Sequence, residues 1–199
     1  EALTRSSRTF QDRLVWLMPI TKITEHVYWL PPGKPDRPSL CAVVVTERTL
    51  LLDTGASSAH INLLLDALRS EEVPMPSLAV LTHWHWDHVF GAAELGVPLI
   101  AQTETRERLL TLAGYGWSNE ALEYRVATGE EISGCAEDIK VELPDPRRVK
   151  IVLPTIVFQD ALELELGGVS CHIRHVGGDH ASDSSVIHVL PDKVLFLGD

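Results

Sequence analysis

The hydrophobic positions of this chain fall mostly in short runs of β-branched and aliphatic residues that are separated by turn-forming residues. Runs of this length, bounded by glycine, proline or polar clusters, are typical of strands that are buried on at least one face. Two pairs of runs flank Gly167-Gly168 and Pro191-Asp192, which indicates hairpins. The pattern predicts strands over residues 27–30, 40–46, 49–52, 78–81, 97–101, 156–158, 162–166, 169–175, 185–190 and 194–197.

A clear helical period follows the first group of strands. Ile61, Leu64 and Leu68 recur at the spacing that places side chains on one face of a helix. Ser57 and Ser58 precede this stretch, and either one is a suitable N-cap. We therefore predict an amphipathic helix that begins at these serines.

The middle of the chain is less regular. A helix is predicted over residues 103–113, with Gly114 as its C-terminal stop. The rest of this region, as far as residue 150, combines glycine, proline and mixed charge without a clear period. We interpret it as loop, with one helix near residues 120–125.

The order of these elements predicts an α/β fold in which two sheets pack together with helices outside them. The chain has 199 residues, a length that suits one domain. No repeat or linker divides the sequence, so residues 1–199 are expected to form a single domain.

Charge and hydropathy narrow the classes of partner. The chain has 17 Lys and Arg residues against 28 Asp and Glu residues, a formal net charge of −11. An acidic surface repels phosphate backbones, so no nucleic-acid partner is expected, and the short basic segment at residues 147–150 is interpreted as a solvated loop. No apolar run approaches the roughly 20 residues that span a bilayer, so no membrane partner is expected either.

The cysteines and the polar start of the chain bear on its location. Cys41, Cys135 and Cys171 are odd in number and widely spaced, which fits neither a disulfide framework nor a Cys-x-x-Cys metal motif. Residues 1–10 are polar and charged, unlike a secretory signal peptide. These features favour a cytoplasmic protein.

Three segments carry candidate chemistry, and each follows a short apolar run, so each is expected at the end of a strand. The first is His83-x-His85-x-Asp87-His88, which combines the ligand types preferred by zinc and similar ions. His83 and His85 are two positions apart in an extended turn and can face one ion, whereas Asp87 and His88 can face a second. The other two segments are Gly177-Gly178-Asp179-His180 and Leu195-Phe196-Leu197-Gly198-Asp199.

With these motifs the sequence resembles the metallo-β-lactamase superfamily from about residue 40 to residue 199. The resemblance implies an αββα four-layer sandwich. Its matching segments are Leu51-Leu52-Asp53-Thr54-Gly55, residues 82–88 with Gly91, the Gly-x-His turn at residues 178–180, and Phe196-Leu197-Gly198-Asp199.

The resemblance also implies roles for individual residues. His83, His85 and His180 would hold one metal ion. Asp87 and His88 would hold a second ion, with Asp199 bridging the two. Asp53 stands where the family keeps a buried aspartate that supports the metal-binding loop.

The function that this resemblance implies is metal-dependent hydrolysis of a small ester, thioester, lactone or amide by a metal-bound hydroxide. Asp87 is the expected catalytic residue, since it can orient the hydroxide or move its proton to the leaving group. Two divalent ions are expected, most favourably zinc, with iron, manganese and nickel as alternatives. The expected partner is a small-molecule substrate, and a homo-oligomer stays open. Two other functions also stay open: a mononuclear iron dioxygenase acting on persulfides, and a non-catalytic member of the fold.

One departure from the family pattern concerns the end of the chain. The family normally supplies a further histidine after the Gly-Asp strand, within additional strand and helix segments, whereas this sequence stops at Asp199. We therefore expect either that residues 1–199 are a fragment in which the αββα fold is truncated at its C-terminus, or that the second metal lacks one ligand.

Several aromatic and histidine side chains are left without an assigned role. Trp84, Trp86 and Phe90 suit a substrate pocket and core packing equally well. His60 lies in a helical pattern and is interpreted as a satisfied or surface histidine. His175, five residues before His180, is a candidate support for that residue.

Overall fold

A computed structural model describes residues 20–199, in which eleven strands form two sheets accompanied by five α-helices. The strands are β1 (Thr21–Lys22), β2 (Val27–Leu30), β3 (Leu40–Val45), β4 (Arg48–Leu52), β5 (Pro76–Val80), β6 (Leu99–Gln102), β7 (Ile156–Phe158), β8 (Ala161–Glu165), β9 (Ser170–His175), β10 (Ser185–Leu190) and β11 (Val194–Phe196). The helices are α1 (Ser58–Ser70), α2 (Trp86–Val89), α3 (Thr103–Leu112), α4 (Asn119–Thr128) and α5 (Ser133–Glu142), and a 3₁₀ turn (Phe90–Glu94) follows α2.

The first sheet has seven strands in the order β1 to β7. Its first four strands are antiparallel neighbours, whereas β4 to β7 are parallel to one another. The change to parallel pairing requires a crossover, which α1 provides between β4 and β5. As a result, the carboxyl ends of β4 and β5 lie at the same edge of the sheet.

The second sheet has four antiparallel strands in the order β11-β10-β9-β8. The hairpins predicted at Gly167-Gly168 and Pro191-Asp192 connect β8 to β9 and β10 to β11. The alternate side chains Cys171, Ile173 and Ile187 are buried in the apolar cluster that this sheet forms with the first one. Face-to-face packing of two sheets is therefore the centre of the fold.

The helices cover the other face of the first sheet. Each of the five contributes buried side chains to the cluster on that face, and none contributes to the cluster between the sheets. Helix α1 begins as predicted, with the Ser57 hydroxyl accepting a hydrogen bond from the backbone N–H of His60. The described residues thus confirm an α/β fold with two packed sheets and outer helices. None of the helices in residues 20–199 combines the length and apolar character needed to cross a membrane.

The prediction for the middle of the chain is wrong in one respect. The helix predicted near residues 120–125 is α4, which Ser118 caps and Gly129 ends in a left-handed conformation. Helix α5 follows it in a stretch that we interpreted as loop. Its apolar period is weak and Ile132, the residue before it, makes no side-chain cap, so the local sequence lacks the usual signals of a helix start.

Residues 1–10, whose polar character was used above to predict a cytoplasmic location, lie outside the described part of the chain.

Candidate metal centre

The segment that contains His83 and His85 runs across the edge of the first sheet. Strand β5 ends at Val80, and residues 81–85 lead from it into α2, which begins at Trp86. Asp53 directly follows β4, the parallel neighbour of β5. The two segments meet because the carboxyl ends of neighbouring parallel strands lie together.

Asp53 fixes this segment by hydrogen bonds to Thr82 and His88. Its carboxylate is fully buried and accepts hydrogen bonds from the backbone N–H and the hydroxyl of Thr82, at 2.7 and 2.8 Å. The same carboxylate pairs with Nδ1 of His88 at 2.7 Å. Asp53 thus orients both the backbone of the segment and the ring of His88, which is the supporting position predicted for it.

Two glycines allow the surrounding backbone to come close enough. A Cβ atom on Gly91 would lie 2.0 Å from the carbonyl oxygen of Thr54, a distance that no side chain tolerates. A Cβ atom on Gly198 would lie 2.7 Å from the hydroxyl oxygen of Thr82, and Gly198 also has a positive φ of 80°. The absence of a side chain at Gly91 therefore lets the 3₁₀ turn after α2 pack against the residues that follow β4. The absence of a side chain at Gly198 lets the residues after β11 pack against Thr82.

Three imidazoles converge above Asp53. Nε2 of His83 lies 3.1 Å from Nδ1 of His85 and 3.2 Å from Nε2 of His180. Each of the three residues offers a ligand atom, and these atoms all lie within 4.8 Å of one another. His83 is buried, whereas the side chain of His180 is 50% exposed, so the group opens to solvent on the His180 side.

A second group shares one member with the first. His83, His88 and Asp199 also offer ligand atoms within 4.8 Å of one another. Nε2 of His88 lies 3.1 Å from Asp199 and 3.3 Å from Asp87. The other carboxylate oxygen of Asp199 is 3.4 Å from Nε2 of His180, so Asp199 lies between the two groups, where a bridging residue was predicted. The structure therefore brings all six predicted ligand residues to one place.

Burial controls the protonation of His83 and His85. Burial, assisted by the neighbouring His88, lowers the pKa of His83 to about 3. Burial, assisted by His180, lowers the pKa of His85 to about 4. Both rings are therefore neutral near pH 7, which is the form that coordinates metals.

At His88, in the second group, neighbouring carboxylates have a larger effect on the pKa than burial has. Burial by itself would lower the pKa of His88, but the charge of Asp53 and the hydrogen bonds to Asp199 and Asp53 outweigh it and raise the pKa overall. The hydrogen bond from His88 lowers the pKa of Asp199 to about 2, so Asp199 is ionised. A positive charge is thus favoured between these residues.

The hydrogen bonds beneath the rings decide which nitrogens face the centre. The Thr82 hydroxyl donates its proton to Asp53 and therefore accepts one from Nδ1 of His83, which lies 3.0 Å away. Nδ1 of His88 donates to Asp53. The ring of His83 consequently directs an unprotonated Nε2 toward the groups described above, and Nε2 is the nitrogen that His88 directs toward Asp87 and Asp199. Lone pairs that converge in this way fit a divalent cation, because a cation accepts electron density from all of them at once.

The other histidines singled out from the sequence lie outside these groups. His60 is buried in α1, where its Nδ1 accepts a hydrogen bond from the backbone N–H of Ala56 at 3.1 Å. Nε2 of His175 lies 2.8 Å from the carbonyl oxygen of Ser182, across the turn that carries His180. His175 is therefore placed to brace that turn, as proposed from its spacing.

A cavity of about 250 Å³ opens beside His85 and Asp87, which form part of its wall. Of the aromatic residues left without an assigned role, Trp84 and Trp86 line this cavity, whereas Phe90 packs in the core. Trp117 and residues of the α4–α5 region complete the cavity.

An ion pair that no sequence motif indicated connects α5 to Arg37, and a hydrogen bond connects it to Ser57 at the start of α1. The carboxylate of Glu142 accepts hydrogen bonds from Nε of Arg37 at 2.9 and 3.0 Å and from the hydroxyl of Ser57. The three residues are far apart along the chain and form no motif. Only the tertiary structure brings them together.

The fold and the cluster together define the class of protein. A sequence profile with the description Metallo-beta-lactamase superfamily matches residues 35–199. The chain therefore belongs to the metallo-β-lactamase superfamily, which confirms the family predicted from the motifs.

Two curated relatives are similar to most of this chain. It is 28% identical over 192 residues to the acyl-coenzyme A thioesterase MBLAC2 of Bos taurus, and 27% identical to the protein of that name from Homo sapiens. Both alignments cover 88% of this chain and 63% of the relative. The chain thus spans less than two thirds of the length of these relatives.

Solved metallo-β-lactamases share the fold at lower identity. A Cronobacter sakazakii enzyme with a HARLDQ motif matches with a TM-score of 0.62 at 17% identity, over 89% of this chain and 62% of that one. A subclass B3 enzyme from Bradyrhizobium japonicum matches with a TM-score of 0.61 at 17% identity, over 92% and 64% of the two chains. An enzyme from Pontibacter korlensis matches with a TM-score of 0.58 at 20% identity, over 88% and 68%. These likenesses confirm the predicted fold class.

Proposed function

We propose that this chain is a metal-dependent hydrolase that cleaves thioesters. The observation that carries the proposal is the pair of ligand groups that share His83 and have Asp199 between them. The choice of thioesters among the esters, lactones and amides considered above is supported by the similarity to the acyl-coenzyme A thioesterases.

In this proposal His83, His85 and His180 hold one divalent ion, while Asp87 and His88 hold a second with Asp199 between them. Zinc is the favoured ion, because imidazole and carboxylate are its usual ligands outside cysteine-rich sites. When bound, such ions provide an activated water near neutral pH and polarise the carbonyl of the substrate.

Asp87 is placed to move a proton in the reaction. Its side chain is nearly buried, lies 3.3 Å from Nε2 of His88 and forms part of the cavity wall. A carboxylate in this position can accept a proton from the attacking water and deliver it to the sulfur of the leaving thiol. Asp53 and Thr82 keep the rings of His88 and His83 oriented while this happens.

The second group favours hydrolysis over the mononuclear iron dioxygenase considered from the sequence. A single ion needs only one set of ligands, and the set around His85 and His180 would be sufficient. His88 has Asp87 and Asp199 within 3.3 Å of its Nε2, which supports a second cation. Oxygen consumption with glutathione persulfide, without thioester cleavage, would instead favour the dioxygenase.

The experiment compares the chain with a variant of a proposed ligand and a variant of an unrelated histidine. His85→Ala removes one ring from the first group, whereas His172→Ala changes a 46% exposed histidine on the second sheet. Zinc content is measured by elemental analysis, and cleavage of butyryl-coenzyme A is followed by release of the free thiol. We expect His85→Ala to lose zinc and at least about 100-fold in kcat/KM, and His172→Ala to behave like the unmodified chain. Full zinc content and turnover in His85→Ala would refute the proposal.

A further inference from the structure

The cavity beside His85 and Asp87 has apolar walls and an acidic rim. Trp84, Leu112, Trp117 and Ile132 provide most of the wall, with Cys135 among them. Glu130 and Glu131 also line it, and among the described residues that form its wall there is no lysine or arginine. The walls suit an uncharged apolar group. The carboxylates of Glu130 and Glu131 disfavour a ligand that carries a negative charge into the cavity.

The aromatic wall is held in position by its neighbours. The ring of Phe90 meets that of Trp117 edge-on, with centroids 4.8 Å apart and planes at 84°. The guanidinium of Arg125 lies 4.9 Å from the Trp117 ring centroid and donates a hydrogen bond to the carbonyl oxygen of Gly116 at 2.7 Å. Edge-on aromatic packing and a cation over a ring are both favourable geometries. A wall fixed in this way needs little ordering when a ligand binds, which favours affinity.

We propose that this cavity binds the acyl chain of the substrate and selects uncharged straight chains of up to about eight carbons. This inference rests on the proposed function, because the cavity adjoins the residues that would hold the reacting thioester. The length limit follows from the volume of about 250 Å³, since a methylene group occupies roughly as much space as a water molecule, about 30 Å³. Carbons beyond this number extend into solvent.

Binding is measured with thioethers, which resemble thioesters but cannot be hydrolysed. The zinc-loaded chain is titrated with S-alkyl-N-acetylcysteamines of two to twelve carbons, and the fluorescence of the cavity tryptophans reports occupancy. Affinity is expected to rise about two- to fourfold per methylene group as far as about eight carbons, and then to level off. A terminal carboxylate on the eight-carbon chain is expected to weaken binding by at least about tenfold.

Two substitutions at matched positions test the location. Ile132, just before α5, is 68% exposed and lines the cavity, whereas Val141 is 69% exposed in α5 and lies outside it. Ile132→Asp introduces a favourable N-cap for α5 and is expected to weaken binding of the octyl thioether about tenfold while leaving the ethyl thioether unchanged. Val141→Asp is expected to change neither. Cys135→Met, which adds two heavy atoms to the wall, is expected to move the plateau to about six carbons.

The outcomes separate this inference from the proposed function. Equal affinity for all chain lengths, or equal effects of Ile132→Asp and Val141→Asp, would overturn the assignment of the cavity. If thioesters of every length resist hydrolysis but the thioether profile appears as described, the hydrolase proposal fails and the cavity assignment is supported. If thioesters are cleaved without any dependence of binding on chain length, the cavity assignment fails instead.

Discussion

Replacing Asp53 with asparagine tests whether a buried charge orients residues 82–88, the segment that carries four of the proposed metal ligands. Both carboxylate oxygens are engaged: one accepts from the backbone N–H of Thr82 at 2.7 Å. The other accepts from the Thr82 hydroxyl at 2.8 Å and pairs with Nδ1 of His88 at 2.7 Å. Asparagine preserves the size of the side chain, but one carboxylate oxygen is replaced by an NH₂ group. This NH₂ group is itself a donor and cannot accept a hydrogen bond from Thr82 or His88. At least one buried contact, and the charge that serves all three, is therefore lost.

The magnitude follows from the number and kind of these contacts. A hydrogen bond to a charged group contributes about 1.5–3 kcal/mol, and breaking a buried pair costs about 3–5 kcal/mol. Because Asp53 and His88 are both fully buried, we expect Asp53→Asn to lower the free energy of unfolding by about 3–5 kcal/mol. An amide donor facing Nδ1 of His88 also moves the ring proton to Nε2. That change removes the lone pair proposed to bind metal, so zinc affinity is expected to fall about 10- to 100-fold.

Urea unfolding of the metal-free chain and a competitive zinc titration measure the two effects separately. Asp66→Asn is the matched control, because Asp66 is 60% exposed and pairs with Arg69 on the surface of α1. It should change the free energy of unfolding by less than about 1 kcal/mol and leave zinc affinity unaltered. Wild-type values of both quantities in Asp53→Asn would refute the orienting role of the buried carboxylate.

Two further predictions concern the supports of the site. Gly91→Ala should lower the free energy of unfolding by about 3 kcal/mol, because its Cβ would lie 2.0 Å from the Thr54 carbonyl oxygen; Gly134→Ala, with open space around it in α5, should be neutral or stabilising. Glu142→Gln should cost about 3 kcal/mol by breaking a buried ion pair, whereas Glu137→Gln, on the exposed face of α5, should have little effect. Urea unfolding measures all four, and no difference within either pair would contradict the prediction for that pair.

Residues 82–88, which carry four of the proposed ligands, could be predicted from the sequence because most of their geometry is local. His83 and His85 stand in extended backbone and His88 in the first turn of a helix, so their relative positions follow from the order of residues. His180 is different, since only the resemblance to a family placed it beside them. The structure supplies the physical link: the backbone N–H of Ser185, in the second sheet, donates to the carbonyl oxygen of Thr82 at 2.9 Å. This contact joins the first residue of β10 to the segment that carries His83, and so places the turn with His180 beside it.

Helix α5 shows why the cavity beside His85 and Asp87 could not be predicted in the same way. Gly134 near its start is a poor helix former, and the residue before the helix gives no side-chain cap, so local preference does not specify it. It is anchored by Ala136 and Ile139, which are buried in the core, and by the pair between Glu142 and Arg37, which are 105 positions apart. Because Cys135, and Ile132 just before the helix, form part of the cavity, the shape of that cavity depends on long-range contacts. The ligand residues of the proposed metal centre are therefore recognisable in a short motif, whereas the cavity proposed to select among substrates depends on tertiary packing that local patterns do not reveal.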